Sequence, residues 1–87
     1  MPANAPRRQA KPERLHPVVM QMVEARLAAR LTQKMLAEKA YISEGLIRAI
    51  ERGQRLPTMS SAFAWLEACN ADLMVVMRDG VQRTVQG

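Results

Sequence analysis

The 87-residue chain has one cysteine, Cys69, one histidine, His16, and only one each of Trp, Tyr and Phe. A lone cysteine makes no internal disulfide, which points to a reducing compartment. One His and one Cys do not supply a zinc site from a single chain. So few aromatics argue against the stacking platforms that hold single strands or RNA loops. No apolar run reaches the roughly 18–20 residues of a membrane span, and no apolar stretch follows the basic N-terminus as in a secretory signal. Glycine-rich phosphate loops are missing, as are Ser/His/Asp and Cys/His sets. Neither an enzyme nor a cofactor is expected.

What is there suits one small domain. Hydrophobic residues make up 48%, enough for a core, although a chain this short buries only roughly 60–65% of its unfolded surface. Thirteen Lys and Arg against eight Asp and Glu leave a net charge of +5, which favours an anionic partner. The excess is uneven. Residues 1–14 hold four basic residues against one acid together with three of the five prolines, and read as a flexible basic arm. Residues 15–71 carry seven basic against five acidic residues, and 72–87 are balanced.

Pro17 suits the first position of a helix predicted to run to about Arg30, with Val19, Met22, Val23 and Leu27 on its buried face. Arg26 shares that apolar side and needs a partner there. Thr32 is the next N-cap, opening a short helix to about Lys39 with Met35, Leu36 and Ala37 as its apolar side. After a break at residues 40–42, Ser43 caps a third helix to about Arg52, stopped by Gly53 at C′. Ile47 and Ile50 face inward on it, while Glu44, Arg48 and Arg52 share another side. Thr58 caps a fourth helix to about Asn70, with Met59, Ala62, Phe63 and Leu66 as its core stripe. Cys69 is read as gap-filling, Trp65 as core or dimer contact, and His16 as an exposed linker residue.

The last segment changes character. Leu73, Met74, Val75, Val76 and Met77 form an apolar run of strand length, followed by Arg78 and an Asp79-Gly80 turn signal, and residues 81–85 alternate at period two. A hairpin is expected, with a fifth helix as the alternative. A lone hairpin is marginal in water and its first strand is apolar on both faces, so pairing with a second copy of the chain is the simplest way to bury it.

Two short helices joined by three or four residues have helix-turn-helix dimensions. The residues that follow Leu31 (Thr-Gln-Lys-Met-Leu-Ala-Glu-Lys), then Ile42-Ser43, Ile47, Ile50-Glu51-Arg52-Gly53, Arg55 and Pro57, resemble the Xre/Cro-type helix-turn-helix of phage and plasmid repressors over about residues 18–70. The fold so implied is mainly α: a lambda-repressor-like bundle of four to five helices, with a C-terminal strand or hairpin at a dimer interface.

The resemblance implies roles. Thr32, Gln33, Ser43, Arg52, Gln54 and Arg55 are the candidate phosphate contacts. Glu44, Gly45, Leu46, Arg48 and Ala49 are the candidate base readers, with Arg48 suited to guanine O6/N7 and Glu44 to a cytosine N4 amine. Arg26 and Glu51 would form a structural ion pair. The arm residues Arg7, Arg8, Lys11 and Arg14 are either minor-groove or phosphate contacts or solubilising charge. Two departures stand out. Tyr41 occupies the turn position usually held by Gly, at a cost of about 1 kcal/mol or more for positive φ, and Ala40 replaces a larger apolar residue.

The expected function is therefore a sequence-specific, double-stranded-DNA-binding regulator, a repressor acting on an inverted repeat as a homodimer. Its expected place is the bacterial cytoplasm, at the nucleoid when bound. A second reading keeps the fold: the strand directly after the helix-turn-helix resembles antitoxins of toxin–antitoxin pairs, which would add a toxin partner. A third is a protein-interaction module with a vestigial motif. No membrane partner is expected.

Overall fold

A computed structural model describes residues 15–86 of the chain; the expected basic arm, residues 1–14, lies outside the described residues. Four helices precede one hairpin: α1 (Pro17–Ala28), α2 (Gln33–Ala40), α3 (Glu44–Glu51), α4 (Met59–Ala68), β1 (Leu73–Val76) and β2 (Gln82–Val85). This is a mainly helical, lambda-repressor-like arrangement.

Side-chain caps start the helices. The Thr32, Ser43 and Thr58 hydroxyls accept the N–H groups of Met35, Leu46 and Ser61 at 3.0–3.1 Å, each satisfying one donor that a helix start leaves unpaired. At α1 the cap is His16, whose Nδ1 accepts the Val18 N–H at 3.2 Å.

Left-handed residues end them. Arg30, Tyr41, Gly53 and Asn70 have φ between 58° and 76°, and the following N–H closes back on a carbonyl five residues earlier. These bonds are Leu31 to Arg26, Ile42 to Ala37, Gln54 to Ala49 and Ala71 to Leu66, at 2.9–3.1 Å. This closure takes up carbonyls that the helix end would otherwise orphan. Only one of the four positions is glycine. Because Arg30 and Asn70 act as stops, α1 and α4 end at Ala28 and Ala68, two residues before the expected limits.

Trp65, Met22, Leu36, Ile47 and Ile50 are fully buried at the centre of the bundle, each contributing about 1.5–3 kcal/mol through burial. The Trp65 indole donates to the Met22 carbonyl at 2.8 Å, so the largest side chain of α4 also closes a polar group of α1. α2 packs on α3 and α4, and α1 packs on α4 and α3.

Four expected core positions are corrected: Phe63 is only half-buried and stands outside the core cluster, and three others are exposed. Leu27 is 59% exposed, Met35 46% and Met59 60%. Seven residues after Val19, Arg26 is only about 20° from its line on the helix, whereas Leu27 is about 80° away. Arg26 therefore continues the buried stripe. On α2 the buried residues are Leu36 and Ala40, and on α4 they are Ala62, Trp65, Leu66 and Ala68, with the C-cap Cys69 following. Met59 falls about 120° round from Trp65.

The C-terminal segment is a hairpin, which excludes the fifth-helix alternative. Leu73 pairs with Val85, Met74 with Thr84, Val75 with Arg83 and Val76 with Gln82, antiparallel. Gly80, at φ 92°, sits in the turn, and Asp79 Oδ1 accepts the Val81 N–H at 3.0 Å. Consecutive β-branched residues and an Asp-Gly turn favour extended chain over helix here. Leu73 packs against the core, while Met74, Val75, Val76 and Met77 are 45–59% exposed.

Candidate nucleic-acid interface

α2, the left-handed Tyr41 turn and α3 form one packed unit. Tyr41 has φ 58° and ψ 42°, so a non-glycine residue takes the left-handed turn conformation. Ala40, small and 8% exposed, is in the buried line just before it.

A polar network fixes the unit to α1. Arg26 Nε and Nη2 donate to Glu51 Oε2 and Oε1 at 2.6 and 2.9 Å, and its Nη1 donates to the Leu31 carbonyl at 2.8 Å. The Gln33 amide donates to the same Glu51 Oε1 at 3.1 Å. One carboxylate thus links the last turn of α1, the first residue of α2 and the last residue of α3. The Arg26 and Glu51 side chains are only 12% and 11% exposed, so losing either partner would leave a poorly hydrated, unpaired charge. The Gln33 contact had no signal in the sequence, since the residue reads as an ordinary first-turn polar side chain. Its second amide hydrogen stays available for an external acceptor.

The candidate base readers lie on one helix. Gly45 is exposed, and Glu44, Leu46, Arg48 and Ala49 are half-buried. Leu46 packs against the core, so of these it is the one turned inward. Arg48 Nη2 lies 3.3 Å from Glu44 Oε2, with both side chains about two-fifths exposed (41% and 42%). An exposed i,i+4 pair contributes only about 0.3–0.5 kcal/mol, so a stronger acceptor can take Arg48 away at little cost.

The remaining phosphate candidates flank this helix. Thr32 and Ser43 are the caps of α2 and α3. Arg52, Gln54 and Arg55 are exposed on the loop after α3, which Gly53 turns with its left-handed conformation. The two helices thus offer capped starts at Thr32 and Ser43, a paired Arg and Glu on α3, and two exposed arginines just after it.

Residues 22–75, well over half of the chain, match a protein-family model described as Helix-turn-helix. The chain belongs to this helix-turn-helix family, of the Xre/Cro type. A search of curated proteins gave no match. The match spans all of α2 and α3, so the helix-turn-helix protein is a DNA-binding regulator by family. Among the described residues no helix is long and apolar enough to cross a membrane, and no group of three or more His, Cys, Asp or Glu is placed to hold a metal ion.

Outside α2 and α3, Cys69 is buried at the end of α4. Burial pushes its thiol pKa above the ordinary value, with Lys39 and Arg26 pulling partly back.

Proposed function

We propose that the protein is a transcriptional repressor that binds an inverted-repeat operator in double-stranded DNA as a homodimer. The observation that carries this reading is the Glu44–Arg48 pair, each side chain about two-fifths exposed, on the Ser43-capped helix α3 of a motif of DNA-binding type. Gln33, Thr32 and Ser43 position the module on phosphates of one strand, and Arg52, Gln54 and Arg55 grip the other. α3 lies in the major groove, where Arg48 donates to guanine and Glu44 accepts from cytosine. Positioning contacts carry little sequence information, so selectivity falls on α3.

A single module of this kind covers only about 600–1,000 Å² on DNA, too little for selective binding alone. Two-fold pairing places two copies of α3 in successive major grooves roughly 34 Å apart. Residues 15–71 are the DNA-binding unit and 72–87 the dimerisation element. The exposed apolar side chains of Met74, Val75, Val76 and Met77 support that division. Repression follows from occlusion of a promoter in the bacterial cytoplasm.

The same exposed hairpin favours a second reading, an antitoxin that represses its own operon and also binds a toxin. Co-expression with a neighbouring open reading frame, followed by joint purification, separates it from a stand-alone repressor.

The deciding experiment is selection of bound duplex fragments from the source genome, followed by footprinting and a promoter assay. A protected palindrome and falling transcription are expected. Failure to retain any duplex against competitor DNA leaves the protein-interaction module as the reading. Transcription that rises on addition of protein removes the repressor assignment.

A further inference from the structure

Gly45 is a glycine that the fold does not ask for. It lies second in α3, in ordinary helical conformation, and a Cβ built on it meets nothing within 4 Å. Glycine in a helix is disfavoured relative to alanine through the backbone freedom it loses on folding. Glycine fills only two of the five positive-φ positions among the described residues, Gly53 and Gly80. Arg30, Tyr41 and Asn70 all hold left-handed conformations that glycine adopts without strain. An open, exposed helical position occupied by glycine is thus a local rule broken without any gain inside the molecule, and such exceptions concentrate at functional surfaces.

The surroundings say what the gain is. One residue before Gly45 is Glu44, whose carboxylate holds Arg48 one turn further on at 3.3 Å. Four residues before it, Tyr41 is 95% exposed. A methyl group at position 45 would stand beside Glu44 on the surface from which Arg48 must reach outward. We infer that Gly45 sets the depth at which α3 enters the major groove: the missing side chain lets base edges approach the helix backbone closely enough for Arg48 and Glu44 to reach them. Gly45 is a positioning residue for specificity, and it makes no polar side-chain contact of its own. This rests on the DNA-binding reading proposed above.

The test compares the parent chain with Gly45→Ala and Gly45→Ser on duplexes that the parent retains from a random-sequence pool. Thermal melting is followed in parallel. Since nothing obstructs the new Cβ, Gly45→Ala melts a few degrees higher than the parent, because a gain in helix propensity moves the melting point of so small a domain noticeably. Its affinity for the parent's selected duplex falls about tenfold or more, and a fresh selection with the variant returns a weaker or altered consensus. Gly45→Ser, bulkier and polar, loses at least as much. An unchanged consensus with affinity within about twofold of the parent overturns the inference and leaves the DNA-binding reading standing. If the parent itself retains no duplex, the DNA-binding reading falls and the inference falls with it.

Discussion

Arg26 and Glu51 meet through two hydrogen bonds of 2.6 and 2.9 Å, joining α1 to the end of α3 across 25 positions of sequence. The pair is nearly closed to water, and Gln33 adds a third donor to the same carboxylate. Replacing Glu51 by Ala strands the Arg26 guanidinium. Removal of one member of a buried pair costs about 3–5 kcal/mol. The Glu51→Ala chain is expected to unfold at markedly lower urea, read from its equilibrium midpoint. A loss below about 0.5 kcal/mol would mean that water screens the pair.

Gln33→Ala removes one hydrogen bond to Glu51 and, on the proposed function, the amide offered to a phosphate. Stability is expected to drop by only about 1 kcal/mol. DNA affinity should fall by a similar factor for operator and for unrelated duplex, since a phosphate contact carries no sequence information. Titrations on both duplexes check this, and a loss confined to the operator would make Gln33 a base reader.

Arg48→Ala should act in the opposite manner. Its ion pair with Glu44 is exposed, so the fold barely changes. Base preference at one operator position is expected to relax by about 1–3 kcal/mol. Measured on a panel of single-base operator variants, an equal loss at every variant would turn Arg48 into a phosphate contact.

Deleting residues 72–87 should leave a folded helical domain that sediments and scatters light as a monomer and binds a full operator poorly. Only Leu73 of β1 packs against the core of the bundle, so the helices keep most of their contacts. A truncated chain that still forms a dimer would place the two-fold contact elsewhere.

Cys69 provides a pH test. Burial raises its folded pKa above the unfolded value, so the fold favours the protonated thiol. The resulting stability is fully present below the unfolded thiol value and is lost as pH rises through the folded one. Melting temperature should fall on the alkaline side, and Cys69→Ala should flatten that fall. Alkylation near neutral pH should be much slower for the native chain than for the urea-unfolded one. Equal rates would show that the thiol is accessible.

Much of this architecture was legible because short-range chemistry and long-range packing agree. Thr32, Ser43 and Thr58 precede helices that they cap, Gly53 marks a stop, and Asp79-Gly80 marks a hairpin turn. Where side chains act against type, legibility failed. Arg30 and Asn70 end helices in a conformation most often taken by glycine, so α1 and α4 stop two residues short of the limits that spacing alone predicts. His16 caps with a ring nitrogen, outside the usual set of hydroxyl and carboxylate caps. Leu27, Met35 and Met59 have apolar character but lie tens of degrees off the buried line, and a stripe judged by spacing alone does not resolve that angle. At the interface, Arg26 could be seen to need a partner from its position on α1. That Gln33 shares the same carboxylate depends on how three helices meet.

The burial of Trp65 and the exposure of Tyr41 have a practical consequence. The only tryptophan is sealed between α1 and α4 with its indole hydrogen-bonded, and the only tyrosine stands in solvent at the α2–α3 turn. Light absorbed by the indole alone therefore reports on the core, and its emission shifts to the red only when the bundle opens. Tyr41 absorbance and emission respond to whatever approaches the turn. Each variant thus carries two intrinsic optical channels, one for integrity and one for engagement, without an attached dye.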